Sequence, residues 1–512
     1  MWTTNKCDLP LTNVYESLPL SGRAVSPGFL WARWLFLRAL GAIFLSAFYS
    51  LLFQIQGLVG ERGILPARDY LETVRSAGVG LRRFWYVPSI FWTNASDVAL
   101  TAIVVMGIVA SLLLVANLWP KASVAASTLL FLSCIAVLQD FSSYQSDGML
   151  LEAGFISIFF APRGRRPGLA AADPPSKASL FMLRWEWFRI YFESGIAKLA
   201  SGDVHWRNLT AMDDYYQNGP LPAWPGWYVQ QLPHGFHALT VVVTLVVELA
   251  LVWAVFLPRR FRVACCVVVT GLQIGIIATA NYAFLNYLVL VLGVLLLDDD
   301  VLARVRLETI ESVARPTKWP DYVEYAMLAW VLYATIAALS PPATRTPLAA
   351  PARLLAPFRI ANQYGLFASM TEARYEIEFQ GSKDGGATWV PYPFRYKPQD
   401  VNARPGIYAP YQPRFEWNLW FASLGPWRAS TWVVFAQERL LERSPSVLAL
   451  FRKDPFDGTP PTHVRTMLWQ YWFTDRATKR ATGAWWRRRE LGPFAGVVTR
   501  GVDGRIVFSE RP

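Results

Sequence analysis

Five charged side chains fall within one otherwise apolar stretch, SLFMLRWEWFRIYFESGIAKLA at residues 179–200: Arg184, Glu186, Arg189, Glu193 and Lys198. On a helix turning about 100° per residue, Glu186, Arg189 and Glu193 lie within about 60° of one another, at spacings that suit ion pairs. A charge at the centre of a membrane helix costs about 2.5–3.5 kcal/mol on insertion scales. Three of them facing lipid would cancel most of the helix's apolar gain, so they must face the protein interior or a wet cavity. Arg184 and Lys198 lie nearer the ends and can snorkel. The cluster is then either a polar zipper that fixes helix packing or a cavity that binds a ligand. In the second case Lys198, the only Lys inside a predicted span, would be a base of depressed pKa. Its place at the helix end, where water keeps an amine protonated, argues against that. Glu248, a lone carboxylate in the run Ala238–Leu257, has the same two readings.

Other reactive groups are sparse. Asp213 and Asp214 are adjacent, so on a helical turn they point about 100° apart and make a poor acid–base dyad; a solvated face is expected. The chain has four His. His234 and His237 have i,i+3 spacing but no third ligand nearby, so neither a metal site nor a cofactor is expected. Of the four Cys (Cys7, Cys134, Cys265, Cys266) none lies beyond residue 266, which leaves no disulfide framework there. Nucleophile-elbow, P-loop, dinucleotide-fingerprint and zinc-protease motifs are all missing. An enzyme is the less expected class.

The elements that must position these groups follow from composition. Of 512 residues, 53% are hydrophobic and 17% charged, and mean hydropathy is +0.25. Globular chains run at about 45–50% and about 25%. The balance points to a polytopic α-helical membrane protein. Val98–Trp119 is uncharged, and the uncharged run Val263–Leu297 is too long for one span, so it is split at Asn281–Asn286. With 35–57, 122–141, 148–161, 179–200 and 322–339, the expectation is eight or nine spans, 148–161 being short enough to be re-entrant. With residues 1–34 cytoplasmic, the inner connections hold 15 Lys and Arg and the outer ones six. The positive-inside rule then puts the C-terminal region outside. No cleavable signal pattern precedes the first span.

The tail differs in charge and period. Residues 341–512 carry a net +10 of the total +12. Past a Pro- and Ala-rich linker at 341–357, Tyr375, Ile377 and Phe379 alternate with charged residues; a Gly-containing loop follows, then Tyr392, Phe394 and Tyr396. That pattern predicts a hairpin in a β-rich, sandwich-like extracytoplasmic domain over 358–512, with a short helix near Gln437–Phe451. The basic run Trp485–Arg489 reads as solvated surface rather than a nucleic-acid site. The Pro-rich loop 201–233 is expected to carry function or to be well packed.

Several stretches together resemble the lipase maturation factor family: GLVGERGILPARDYL at 57–71, QSDGMLLEAGF at 145–155, FRIYFESGIAKLASGDVHWRNLTAMDDYYQNGPLPAWPGWYVQQLP at 188–233, NQYGLFASMTEARYEIEFQGSKDGGATW at 362–389 and YQPRFEWNLWFASL at 411–424. They occur in family order from the first span to residue 494. The resemblance implies a polytopic protein with a C-terminal globular domain; the animal members reside in the endoplasmic reticulum and assist the folding of secreted lipases. The membrane part also looks distantly like the transmembrane domain of the vitamin K-dependent carboxylases. Glu193 stands where the family usually has Gly, and Ser146-Asp147-Gly148 where it has Trp-Asp. Ala- and Arg-rich usage suggests a bacterial source, and hence an inner membrane; for a eukaryotic source the expectation is the endoplasmic reticulum membrane.

Two functions of different class are therefore expected. One is a membrane-anchored folding factor for an exported or secreted client such as a lipase; the other is a carboxylase-like enzyme or lipid-binding protein using the cavity around 186–198. Membrane lipid is an expected partner in either case. The outer-face residues expected to matter are Gln145, Asp147 and Glu152 before the polar helix, Asp203, Arg207, Asp213 and Asp214 after it, and Gln412 and Arg414 in the tail. Asp147 and Glu152 are expected to pair with Arg207 or Arg414 and so dock the β domain on the helices.

Overall fold

The computed structural model describes residues 28–304, 319–339, 347–501 and 505–509. Most of the expected cytoplasmic segment 1–34 and part of the 341–357 linker lie outside the described residues. The apolar runs fold as helices because a membrane offers no water to satisfy a non-helical backbone. These are α1 (Leu30–Leu52), α2 (Asp97–Val115), α3 (Pro120–Val137), α4 (Gln145–Phe160), α5 (Lys177–Ala200), α6 (His234–Leu249), α7 (Arg259–Thr279), α8 (Leu285–Gly293) and α9 (Trp319–Ala338). Five helical segments among the described residues are long and apolar enough to cross a bilayer: α1, α2, α3, α7, and α6 with the turn that carries it on to Phe256. The chain is an integral membrane protein. Ser96 caps α2 and Ser176 caps α5, each accepting a first-turn N–H (3.3 and 3.1 Å).

Helices adjacent in sequence pack against one another from α1 to α6, and α1 also meets α4. Where α1 crosses α2, Gly107 lies under the Phe48 ring, and a Cβ there would come within 2.3 Å of it. Gly195 does the same for α5 against Leu249 of α6, where the gap is 2.8 Å. The helix break falls inside the expected Asn281–Asn286 turn. Asn281 accepts from the N–H groups of Tyr408 (2.7 Å) and Ala409 (3.1 Å) and donates to Leu221 O and Gly406 O. A side chain that binds four backbone groups of two other segments holds the chain out of a helix at that point.

The C-terminal region is β-rich, but the described residues form one antiparallel sheet and not the two facing sheets of a sandwich. The strands are β1 (Arg374–Ser382), β2 (Val390–Pro391), β3 (His463–Phe473), β4 (Trp486–Arg500) and β5 (Ile506–Ser509), in the order β2-β1-β3-β4-β5. Two helices, α10 (Arg414–Ala422) and α11 (Trp432–Leu441), pack on the sheet in place of a second one. Gln437 of α11 donates to Val464 O (3.1 Å) and Gly496 O (2.9 Å), which ties helix to strands. The expected hairpin is present as β1–β2, with Gln380 opposite Pro391. Its second strand covers only two residues; Pro391 brings no N–H to the ladder, and the Tyr392 N–H still donates to Phe379 O (2.9 Å). One apolar core runs unbroken from Ala32 to Val498, so sheet and helices share a single interior.

Candidate functional site

Residues 359–371 have no regular secondary structure, yet they run along α5 with Tyr364 buried. Buried backbone polar groups must find partners, and the charged residues of α4 and α5 supply them. Glu152 Oε2 accepts from Asn362 N (3.0 Å), Asn362 Nδ2 (3.1 Å) and the Tyr364 hydroxyl (2.9 Å). Glu193 accepts the Tyr364 N–H (2.6 Å), Ser194 that of Leu366 (3.1 Å) and Gln145 that of Gly365 (3.1 Å). Arg189 donates to Asn362 O (2.6 Å) and Lys198 to Leu366 O (2.9 Å). Asp203 ends the row by accepting from Met370 N (2.5 Å). The polar helix therefore reads a backbone, and the 359–371 segment is a strap held in the bundle by side chains.

This corrects the expected triad of Glu186, Arg189 and Glu193. Arg189 lies 3.5 Å from Glu193, but its short partner is Glu152 of α4, and all three are buried. Glu186 is fully buried, and neither of its oxygens has a hydrogen-bond partner among the described residues. Helical spacing finds groups on one face; it is blind to a better acceptor on the neighbouring helix. Lys198 is no free base: its ammonium lies 2.9 Å from Glu248 and 5.1 Å above the centre of the Trp206 ring.

A second buried anchor joins α4 to α10. Arg414 donates through both terminal nitrogens to Asp147 (2.7 Å each) and also to Phe141 O (2.9 Å). The bidentate fork is the strongest geometry available to such a pair. The Tyr144 hydroxyl lies 3.1 Å from Arg414 O and 2.9 Å from Asn418 Oδ1. Of the pairings expected for Asp147 and Glu152, the structure makes Asp147–Arg414; Glu152 goes to Arg189, and Arg207 is exposed. Gln412 contributes its backbone, donating to Ser50 Oγ (3.0 Å) and accepting from Gln54 (2.9 Å); its buried amide group makes no hydrogen bond among the described residues.

The 201–233 loop is packed rather than solvated. Arg374 of β1 donates to Gln217 O and Pro220 O (3.0 Å each) and also to Gly219 O, and Gln217 accepts from Phe473 N (3.0 Å). Burial lowers the Arg374 pKa against the raising effect of Glu376. Asp214 accepts from Gln217 (2.7 Å), and burial, then the Asp213 charge, raises its pKa. Asp213 lies 3.0 Å from His234, and His237 contacts Leu232 O, so neither the two acids nor the two histidines converge on one site. Among the described residues no three His, Cys, Asp or Glu gather as a metal site. The basic run is only partly solvated: Arg488 lies 3.3 Å from Glu378 and 4.1 Å from the Trp469 ring centre.

Sequence reasoning missed Asn362, Tyr364, Arg374 and Glu416. Glu416 accepts three successive N–H groups, those of Arg395 (2.8 Å), Tyr396 (2.8 Å) and Lys397 (2.6 Å). Burial pushes its carboxyl up to about 7, while the three donors pull it down. The one signal for the strap was NQYGLF, a polar start to an apolar segment. Tyr364→Phe keeps the ring and removes one hydrogen bond to a charged acceptor, a loss of about 1.5–3 kcal/mol. Thermal unfolding of the purified chain should show the loss, with faster amide exchange across 360–370; unchanged exchange there would deny the strap its anchor.

Two family domains match this chain: the lipase maturation factor transmembrane domain over residues 31–304 and the lipase maturation factor C-terminal domain over 360–496. The chain belongs to the lipase maturation factor family. It is 30% identical to lipase maturation factor 1 of Bos taurus over 519 residues, covering 94% of this chain and 92% of that protein. With lipase maturation factor 2 of Gallus gallus the identity is 31%, covering 93% and 82%. Lipase maturation factor 1 of Homo sapiens is 30% identical, covering 94% and 91%. No solved structure matches the chain.

Proposed function

We propose that this protein is a membrane-embedded factor that helps an exported lipase reach its folded, active form. Similarity to lipase maturation factors 1 and 2 across both the helical and the C-terminal domain supports this reading. The observation that carries it is the row of buried bonds between α5 and the strap. Arg189, Glu193 and Lys198, the side chains a catalytic cavity would need, are already engaged with the protein's own backbone and carboxylates. That leaves the exposed side of the sheet to meet a client. There Arg487 and Arg489 extend over Trp472 at 5.2 and 5.8 Å, a basic and aromatic surface. Arg and Trp are the residue types that anchor protein interfaces. Deleting the protein from its host should lower the activity of exported lipase per molecule secreted. Unchanged specific activity would overturn the proposal.

The client side is the extracytoplasmic face. Arg184, Arg259 and Arg262 cluster at the end of the bundle given as inner by the Lys and Arg count, where they bind Leu295 O, Leu296 O and Asp298. Alkaline phosphatase fused after Pro512 should be active, and a reporter that fluoresces only in the cytoplasm should stay dark. The reverse pattern would invert the topology.

A further inference from the structure

The short helix Trp224–Gln230 sits on the end of α7. Pro222 bridges to Ala280, Asn281 N donates to Leu221 O (3.3 Å), and a Cβ on Gly226 would come within 2.6 Å of Thr279 O. The chain then enters α6 at His234. Of the five spanning segments, those of α6 and α7 are the least covered by protein, and Leu239, Val246, Val267 and Ile274 on them are exposed. Lipid therefore flanks both helices, and its head groups lie level with residues 224–230. Trp224 is half-buried there and Tyr228 is exposed, the two residue types that anchor proteins at this depth.

Charge sets this rim apart. Ring contacts run from Trp224 to Tyr228 (6.0 Å), and from Tyr228 and Trp227 to Trp485, just before β4 (6.4 and 5.5 Å). Two cations lie on these rings: Arg404 at 5.7 Å from the centre of Trp224, and Lys479 at 3.5 Å from that of Trp485. Arg476 and Arg480 extend from the same helical turns as Lys479 and are exposed. None of the four has a carboxylate partner among the described residues. The adjacent acid, Asp475, is turned to the Thr478 N–H (2.7 Å).

We infer that this face rests on the adjoining leaflet and binds the head groups of anionic phospholipids, of the phosphatidylglycerol class. Trp224 and Tyr228 reach the glycerol level, and Arg404, Arg476, Lys479 and Arg480 meet the phosphates. A zwitterionic surface leaves the four cations uncompensated, whereas each gains about fivefold in affinity at an anionic one. Position favours lipid over an acidic polypeptide, because the patch begins where two lipid-flanked helices end. Arg487 and Arg489, further along β4, stay available to a client, so the inference does not depend on lipase maturation.

The test places the full chain in phosphatidylcholine nanodiscs with a trace of phosphatidylglycerol that carries a diazirine at the top of one acyl chain. After irradiation and digestion, adducts should concentrate on residues 224–228, 404 and 476–485. Their yield should exceed that from phosphatidylcholine bearing the same label by at least about fivefold. Lys479→Glu with Arg480→Glu should remove the excess, and Arg404→Glu should lower it if the double variant is not monodisperse. Lys383→Glu, exposed in the β1–β2 loop at the far end of the sheet, should keep it. Equal yields from the two lipids, or an excess that survives the substitutions at the rim, would overturn the inference. So would stronger amide protection of 476–485 by a soluble polyglutamate peptide than by phosphatidylglycerol, which would assign the face to an acidic polypeptide.

Discussion

Arg414→Leu is expected to cost about 3–5 kcal/mol, because it leaves Asp147 buried without its cation. Both side chains are 0% exposed, and the guanidinium also holds Phe141 O. Little water can reach the orphaned carboxylate, and the Tyr144 hydroxyl is already directed at Asn418. The affected surface is where α4 meets α10, so the loss should uncouple sheet from helices before the helices themselves melt. In practice, the monodisperse yield of the full chain in mild detergent should collapse. Proteolysis should then cut the C-terminal region while the 31–304 part stays intact. A double change, Asp147→Leu with Arg414→Leu, removes both charges and should recover much of the yield, since apolar pairs often replace buried ion pairs at no loss. If the single variant unfolds at the wild-type temperature, the pair does not hold the domain.

That anchor lay partly within reach of the sequence, and the reasons mark how far such reading goes. Asp147 and Arg414 are polar residues in apolar surroundings, assigned to one face by the Lys and Arg count, so pairing them needed only topology. The helix break at Asn281 was legible from length, since no single helix could absorb 35 uncharged residues across one bilayer. The strap was not legible. Residues 359–371 have neither a helical nor a strand period, and their partners on α4, α5 and the loop after α5 lie 153–220 residues away in the chain. Apart from the Asn362 and Tyr364 side chains, which bind Glu152, their bonds to α5 come from main-chain atoms, which carry no residue-type signal. The single sheet was hidden for a related reason: period two shows that one face of a strand is buried, not whether helices or strands bury it. Glu193 is the instructive departure. The chain's resemblance to the family implies a small residue there, whereas this carboxylate takes the Tyr364 N–H at 2.6 Å.

Two substitutions three residues apart on α5 should move stability in opposite directions. Arg189→Leu strands Glu152 and Glu193, both buried and both bound to the strap, and it also removes the donor to Asn362 O. The expected loss is about 3–5 kcal/mol. Glu186→Leu removes a fully buried carboxyl whose oxygens make no hydrogen bond among the described residues. Removing an unsatisfied buried polar group should gain roughly 1–3 kcal/mol. Both changes delete one charge and add one leucine to the same helix face, so composition and insertion cost do not separate them; only the bonding does. Unfolding temperatures of the two purified variants therefore test the described network directly. If Glu186→Leu proves as damaging as Arg189→Leu, Glu186 has a partner of its own, and the expected three-residue cluster on α5 is restored. If it stabilises the chain while exported lipase activity falls, the buried carboxyl serves function at the expense of stability.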